Sequence, residues 1–138
     1  MKSDWFEYPA VFGPDREAGG YTVTFPDLPD AITQGRTITQ AMEMAEDALL
    51  LVVRERMRLG EDLPRPSKPR GRHIRYVALP APQAARAALY IAMRTAGVDG
   101  QELAQRMGKS ESAVARLLDL RRSASLEDVD AAFRALGL

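Results

Sequence analysis

This 138-residue sequence predicts an α+β layer followed by an all-helical unit. Three observations carry the prediction. Apolar residues alternate with a period of two in the short segments before Gly35, and they repeat at helical spacing from Ala41 to Val52. From Gln83 onward every segment has helical spacing, with serine, aspartate or glycine at its ends. The two parts meet at Pro80-Ala81-Pro82, where closely spaced prolines favour a stiff, extended hinge. Residues 1–80 therefore read as one domain, a small antiparallel sheet with one packed helix, and residues 81–138 as a second.

Tyr8–Phe12 and Gly20–Phe25 read as paired strands. In the second, Tyr21, Val23 and Phe25 alternate with Thr22 and Thr24, the pattern of a half-buried strand. The stretch GPDREAGG between them has the glycine, proline and aspartate of a hairpin connection. Pro26-Asp27-Leu28-Pro29-Asp30 ends the second strand, because a proline cannot donate to a central ladder. Ala31–Gln34 forms a short third strand, leaving Gly35 for a turn. Thr37 is placed to cap a helix, with Gln40 completing a capping box. Ala41, Met44, Ala45, Ala48, Leu49 and Val52 form its inward stripe, and Glu43, Glu46, Asp47, Arg54 and Glu55 its outer face. That helix reaches about Arg58, and Gly60 stops it. Glu61–Arg72, with prolines at 64, 66 and 69, reads as an exposed connection. His73–Leu79 returns as a further strand, with His73 a surface residue at its start.

The helical half opens with Gln83–Ala96, burying Ala84, Ala88, Ile91 and Ala92 and stopping at Gly97. Asp99 and Glu102 then cap a helix whose Leu103, Ala104 and Met107 share a face. Gly108 supplies a sharp turn, Ser110 caps again, and Val114, Leu117 and Leu118 point inward from the next helix. Ser125 caps a last helix with Leu126, Val129, Phe133 and Leu136 inward, closed by Gly137. A four-helix bundle of this size buries little surface on its own, and dimerisation would relieve that.

Composition narrows the function classes. Nineteen basic and nineteen acidic side chains cancel, but not evenly along the chain. Residues 1–60 carry 6 basic and 10 acidic groups, while residues 61–82 carry 5 and 2. An acidic half joined to a locally basic one suggests two partners of different charge. The absence of cysteine excludes thiolate metal sites, disulfides and cysteine nucleophiles. A single histidine excludes any site needing two imidazoles from one chain. No apolar run approaches a membrane span and the N-terminus has no signal-peptide core, so a cytoplasmic protein without a membrane partner is expected. No cofactor, metal or catalytic residue is expected.

Asp99–Leu118 has the spacing of a DNA-binding helix-turn-helix, for which a purely structural helical hairpin is the alternative. In such a motif the second helix enters the major groove by its N-terminal end. Ser110, Glu111, Ser112, Ala115 and Arg116 lie away from its inward stripe. Arg116 is a candidate for reading a guanine edge through two hydrogen bonds, or else a surface residue paired with Asp119. Ser110 and Ser112 are candidates for phosphate, and Lys109, Arg121 and Arg122 would neutralise phosphates on either side. The modest local charge implies a homodimer or higher oligomer on two half-sites.

Taken together, YPAVF and GGYTVTFPDLPDAITQGRTITQAMEMAEDALL resemble the N-terminal domain of HicB-type antitoxins. Its marks are Phe25-Pro26-Asp27-Leu28-Pro29, then Thr33-Gln34-Gly35, then Thr37 opening an alanine-rich helix. The second half, including Arg116-Leu117-Leu118-Asp119-Leu120, resembles the helix-turn-helix that many members carry. The wording departs from the commonest one at Asp30, where glycine is frequent, and at Asp99, where serine is. The resemblance implies a partial RNase H-like first domain without nuclease activity. It also implies inhibition of a small HicA-like toxin that cleaves mRNA, and binding of double-stranded operator DNA.

On that reading the acidic domain does the blocking, since an RNA-binding toxin is expected to be basic. Tyr21, Phe25, Asp27, Leu28 and Asp30 are the candidate toxin contacts, with Glu43, Glu46 and Asp47, whose alternative is an ordinary solvated helix face. Asp27 and Asp30 share one proline-bounded turn, which suits turn chemistry or toxin contact better than a two-metal site. The competing functions are a stand-alone helix-turn-helix regulator with a dimerising or ligand-sensing first domain, and an RNase H-like nuclease.

Overall fold

The computed structural model describes residues 6–138. Among these residues nine elements follow one another: β1 (Glu7–Pro14), β2 (Tyr21–Thr24), β3 (Ile32–Gly35), α1 (Ile38–Arg58), β4 (Ile74–Ala78), α2 (Ala81–Ala96), α3 (Gly100–Met107), α4 (Glu111–Leu118) and α5 (Leu126–Ala135). They form two compact units. One holds the described residues up to Val53 with Pro64–Leu79, and the other holds Arg54–Leu63 with Pro80–Leu138. No helix among the described residues is long and apolar enough to cross a membrane.

The first unit is an antiparallel four-stranded sheet in the order β3-β2-β1-β4. The registers Tyr8↔Val77 and Phe12↔Val23 place these four side chains on one face, where all are buried with Ala10. Helix α1 packs there, contributing Ala41, Ala45, Leu49, Val52 and Val53. Its start is the expected capping box. Thr37 Oγ1 accepts from the Gln40 N–H at 3.0 Å, and Gln40 Oε1 accepts from the Arg36 N–H at 2.7 Å. Met44, expected inward, is 41% exposed, so the buried stripe is narrower there.

Pro9 lies inside β1, which has a neighbour on each side. The Phe12 N–H donates to the His73 carbonyl at 2.8 Å and the Leu79 N–H to that of Phe6 at 3.2 Å. Even-numbered residues of β1 therefore exchange bonds with β4, and odd-numbered ones face the other way. On that side the pairing with β2 ends at Val11↔Thr24, so at position 9 the ladder lacks no donor. The Pro26–Asp30 segment makes two successive turns, with the Leu28 N–H donating to Phe25 O and the Ala31 N–H to Leu28 O. Asp30 does not need glycine's conformational freedom, because His73 is the one non-glycine with positive φ among the described residues.

The 61–72 connection is anchored more firmly than its composition suggests. Leu63 is buried, Tyr8 Oη donates to Pro64 O at 2.6 Å, and the Ser67 N–H donates to Asp27 Oδ2 at 2.9 Å.

In the second unit, Leu89, Met93, Val98, Leu103, Ala104, Val114, Leu117, Val129 and Ala132 form one core. The proline run expected as a hinge is the start of α2, with Ala81 its first residue and Pro82 in the first turn, where proline costs no hydrogen bond. Helix α2 buries Arg86, Ala87, Ala88, Leu89, Tyr90 and Met93. Ala84, Ile91 and Ala92 are only half-buried, so the inward face is rotated from the one expected. Leu126 is 77% exposed rather than inward, since it is the first residue of α5 and the core contacts begin at Val129.

Candidate nucleic-acid interface

Two caps and one turn fix the geometry of α3 and α4. Asp99 Oδ1 accepts from the Glu102 N–H at 2.9 Å, filling the position where serine is commoner. The Glu102 carboxylate is turned to Arg106 instead, at 2.9 Å. Gly108 takes φ 66°, which lets the Lys109 N–H return to Ala104 O at 2.9 Å and closes α3 within one residue. Ser110 Oγ then caps α4 through the Ala113 N–H at 3.1 Å. Buried Ala104 and Val114 allow the two helices to approach closely, and a Cβ on Gly100 would lie 3.8 Å from the Val114 side chain.

All eight residues expected to face DNA are exposed: Lys109, Ser110, Glu111, Ser112, Ala115, Arg116, Arg121 and Arg122. Lys109, Ser110, Ser112 and Arg116 line an open groove of about 640 Å³ whose far side is Ser123, Ala124, Ser125 and Asp128. The Arg116 guanidinium makes no hydrogen bond or ion pair among the described residues. Its expected alternative partner, Asp119, is occupied by Arg121 at 3.0 Å and by Arg122 at 3.6 Å. Lys109 stands 3.6 Å from Asp128.

The Arg121 guanidinium and backbone N–H hold the Asp119 carboxyl down at a pKa of about 2, from an ordinary 3.8. A depressed carboxylate contributes its pairing energy fully above the ordinary value and loses it as pH falls through the folded one. A carbon-detected NMR titration is expected to place the Asp119 midpoint near 2, and Arg121→Gln to move it up toward 3.8. A midpoint near 3.8 in the unmodified chain would show that the pair does not form in solution.

The residue that sets the far end of α4 was not among the expected ones. Arg86, 2% exposed, donates from Nε to Leu117 O at 2.7 Å and from Nη1 to Arg122 O at 2.6 Å. Its Nη2 donates to Arg116 O at 2.9 Å and to Asp119 O at 2.5 Å. A helix leaves its last carbonyls without partners, and α4 is followed by Asp119 rather than by a left-handed glycine. The guanidinium fork of α2 takes their place. Burial lowers the Arg86 pKa and Asp119 opposes it. Nearby, Tyr90 Oη donates to Glu61 O at 2.6 Å, and Arg94 holds Asp62 at 2.6 Å and Gly60 O at 2.9 Å. Residues 60–62 are thereby bound to α2.

Of the expected toxin contacts in the first unit, Asp30, Glu43, Glu46 and Asp47 are exposed, and Tyr21 and Asp27 are half-buried. Phe25 and Leu28 are 1% and 0% exposed. They are core plugs whose side chains cannot meet a partner on the folded unit, which corrects the expectation for both. Asp27 uses one carboxylate oxygen on Ser67, a turn-bracing role. Among the described residues no three acidic, histidine or cysteine side chains are grouped to hold a metal ion.

The family model described as the HicB-like antitoxin of bacterial toxin–antitoxin systems matches residues 7–88. Antitoxin HicB of Escherichia coli K12 is 38% identical over 130 residues, covering 94% of this chain and 93% of that protein. Antitoxins HicB 1 and HicB 2 of Photorhabdus laumondii are 38% and 32% identical over the same share of this chain, covering 81% and 90% of their own lengths. Each of these relatives is named an antitoxin. With a family match over more than half its residues and relatives of this identity along almost its whole length, the chain belongs to the HicB-like antitoxins.

Proposed function

We propose that this antitoxin binds and blocks a HicA-like, mRNA-cleaving toxin through its α+β unit, and represses its own operon in the cytoplasm by binding operator DNA through α3 and α4. The observation that carries the DNA half is the Arg116 guanidinium, unpaired among the described residues, beside two serine hydroxyls on the exposed face of a capped, short helix. The exposed acids Asp30, Glu43, Glu46 and Asp47 supply charge complementarity to a basic toxin, which acts mainly on association rate and partner choice. Two half-sites require a homodimer or higher oligomer.

Co-expression with the small protein encoded beside it tests the first half: a complex and restored growth are expected, and neither appearing would refute it. Arg116→Ala tests the second. A good bidentate arginine–guanine pair discriminates by about 1–3 kcal/mol, so operator preference over scrambled duplex is expected to fall by a factor of between about 5 and 150. Toxin neutralisation should be unchanged. An unaltered preference ratio would remove Arg116 from base reading.

A further inference from the structure

From Pro64 to Ala78 the first unit carries five cations, Arg65, Lys68, Arg70, Arg72 and Arg75, and no acid. Lys68, Arg70 and Arg72 are exposed and make no ion pair among the described residues. Their backbone is not a loose tether. It is fixed at Pro64 by Tyr8 Oη, at Ser67 by the Asp27 carboxylate and at His73 by the Phe12 N–H, at 2.6, 2.9 and 2.8 Å. Pro64, Pro66 and Pro69 each hold φ near −65° and oppose helix. The chain bends at residues 71–73, with Gly71 at φ 142° and His73 at φ 64°, before it enters β4. Gly71, at φ 142°, takes a backbone conformation between Arg70 and Arg72 that residues with a Cβ rarely adopt.

We infer that this ribbon is a second, sequence-independent contact for the phosphate backbone of duplex DNA, built into the α+β unit. Five cations with no acid among them in the sequence fit a polyanion whose charge continues along its length, which duplex DNA supplies. Anchoring the ribbon in advance lowers the ordering cost of binding. Arginine and lysine here neutralise phosphates and read no base, so they add affinity and salt dependence without changing sequence preference. The inference rests on the reading of this chain as a DNA binder.

The test compares the full chain with its K68Q/R70Q/R72Q variant on a scrambled duplex across a salt series. Each phosphate contact contributes about 0.9 to the slope of log affinity against log salt, so the variant's slope should be shallower by about 2 to 3. Affinity should drop at least tenfold at low salt, with the ratio of operator to scrambled binding unchanged. The charge-keeping variant K68R/R70K/R72K should behave as the unmodified chain. An unchanged slope overturns the proposal, and so does equal loss in both variants. Weakening confined to single-stranded RNA, or to toxin neutralisation, would assign the ribbon to another partner and also overturn it. If the unmodified chain shows no operator preference, the operator reading fails, while the slopes still decide the ribbon.

Discussion

Arg86→Met is expected to lower the stability of the helical unit by about 3 kcal/mol or more and to abolish operator discrimination, with toxin neutralisation retained. Arg86 satisfies four carbonyls, those of Arg116, Leu117, Asp119 and Arg122, from a nearly inaccessible position. Hydrogen bonds from a charged donor contribute about 1.5–3 kcal/mol each, and removing the donor strands its acceptors away from water. The bonds share one side chain and will not add, so the loss is set by breaking the cluster as a whole. Methionine fills the volume without the donors. Arg86→Lys should fall between, because an ammonium is a point donor that cannot span four carbonyls as a planar fork does. Two compact units in one chain make a single unfolding curve ambiguous, so residue-level amide hydrogen exchange is the appropriate measurement. Faster exchange at Val114 and Leu117, with unaltered exchange at Tyr8 and Val77, is expected. Unchanged protection in α4 would show that its C-terminal end holds without the clamp.

The role of Arg86 is not legible in its own helix, because the carbonyls it serves lie about thirty residues away in the chain. Strong periodic patterns were legible: Tyr21, Val23 and Phe25 alternate because one sheet face is covered, and Thr37, Asp99, Ser110 and Ser125 cap because their oxygens are needed at helix starts. In α2 the alanines are so frequent that several faces look equally apolar, and the stripe drawn through Ala84, Ala88, Ile91 and Ala92 left arginine outside. The signal that could have found it was indirect. Leu118 is followed by Asp119 rather than glycine, so the carbonyls at the end of α4 had no local partner and required a donor from elsewhere in the chain. Phe25 and Leu28 misled in the opposite direction. Apolar residues among prolines resemble an exposed binding loop, but the two tight turns aim both inward. The exposed face of α4 was readable because caps and inward plugs leave few positions for the remaining residues. Which positions of the first unit meet a partner depends on where the open surface lies, and that is a matter of tertiary packing.

Gly35→Ala is expected to do the converse of Arg86→Met: destabilise the α+β unit by about 3 kcal/mol, abolish toxin neutralisation, and spare operator discrimination. The sequence suggested a turn glycine, but the structure requires it for proximity. A Cβ there would sit 2.4 Å from Ala41 N, 2.6 Å from Ala41 Cα and 2.9 Å from Gln40 C. All three are backbone atoms of the α1 start, so no flexible side chain can give way. Nor can the strand retreat freely. Gly35 pairs with Tyr21, and a Cβ on Gly20 would lie 2.5 Å from Gly35 O, so that side is closed too. Making room for one methyl group therefore means lifting α1 away from β3 and disturbing the Thr37–Gln40 cap. Gly13→Ala is the control, because its Cβ would meet only Thr22 O at an ordinary 3.8 Å. Exchange at Tyr8, Val23 and Leu49 should accelerate in Gly35→Ala and stay near the unmodified rate in Gly13→Ala. Equal behaviour of the two alanines would refute the close-approach argument. If Gly35→Ala fails only against the toxin and Arg86→Met only against the operator, the two tasks reside in separate units; joint failure in either variant would show that each needs the other folded.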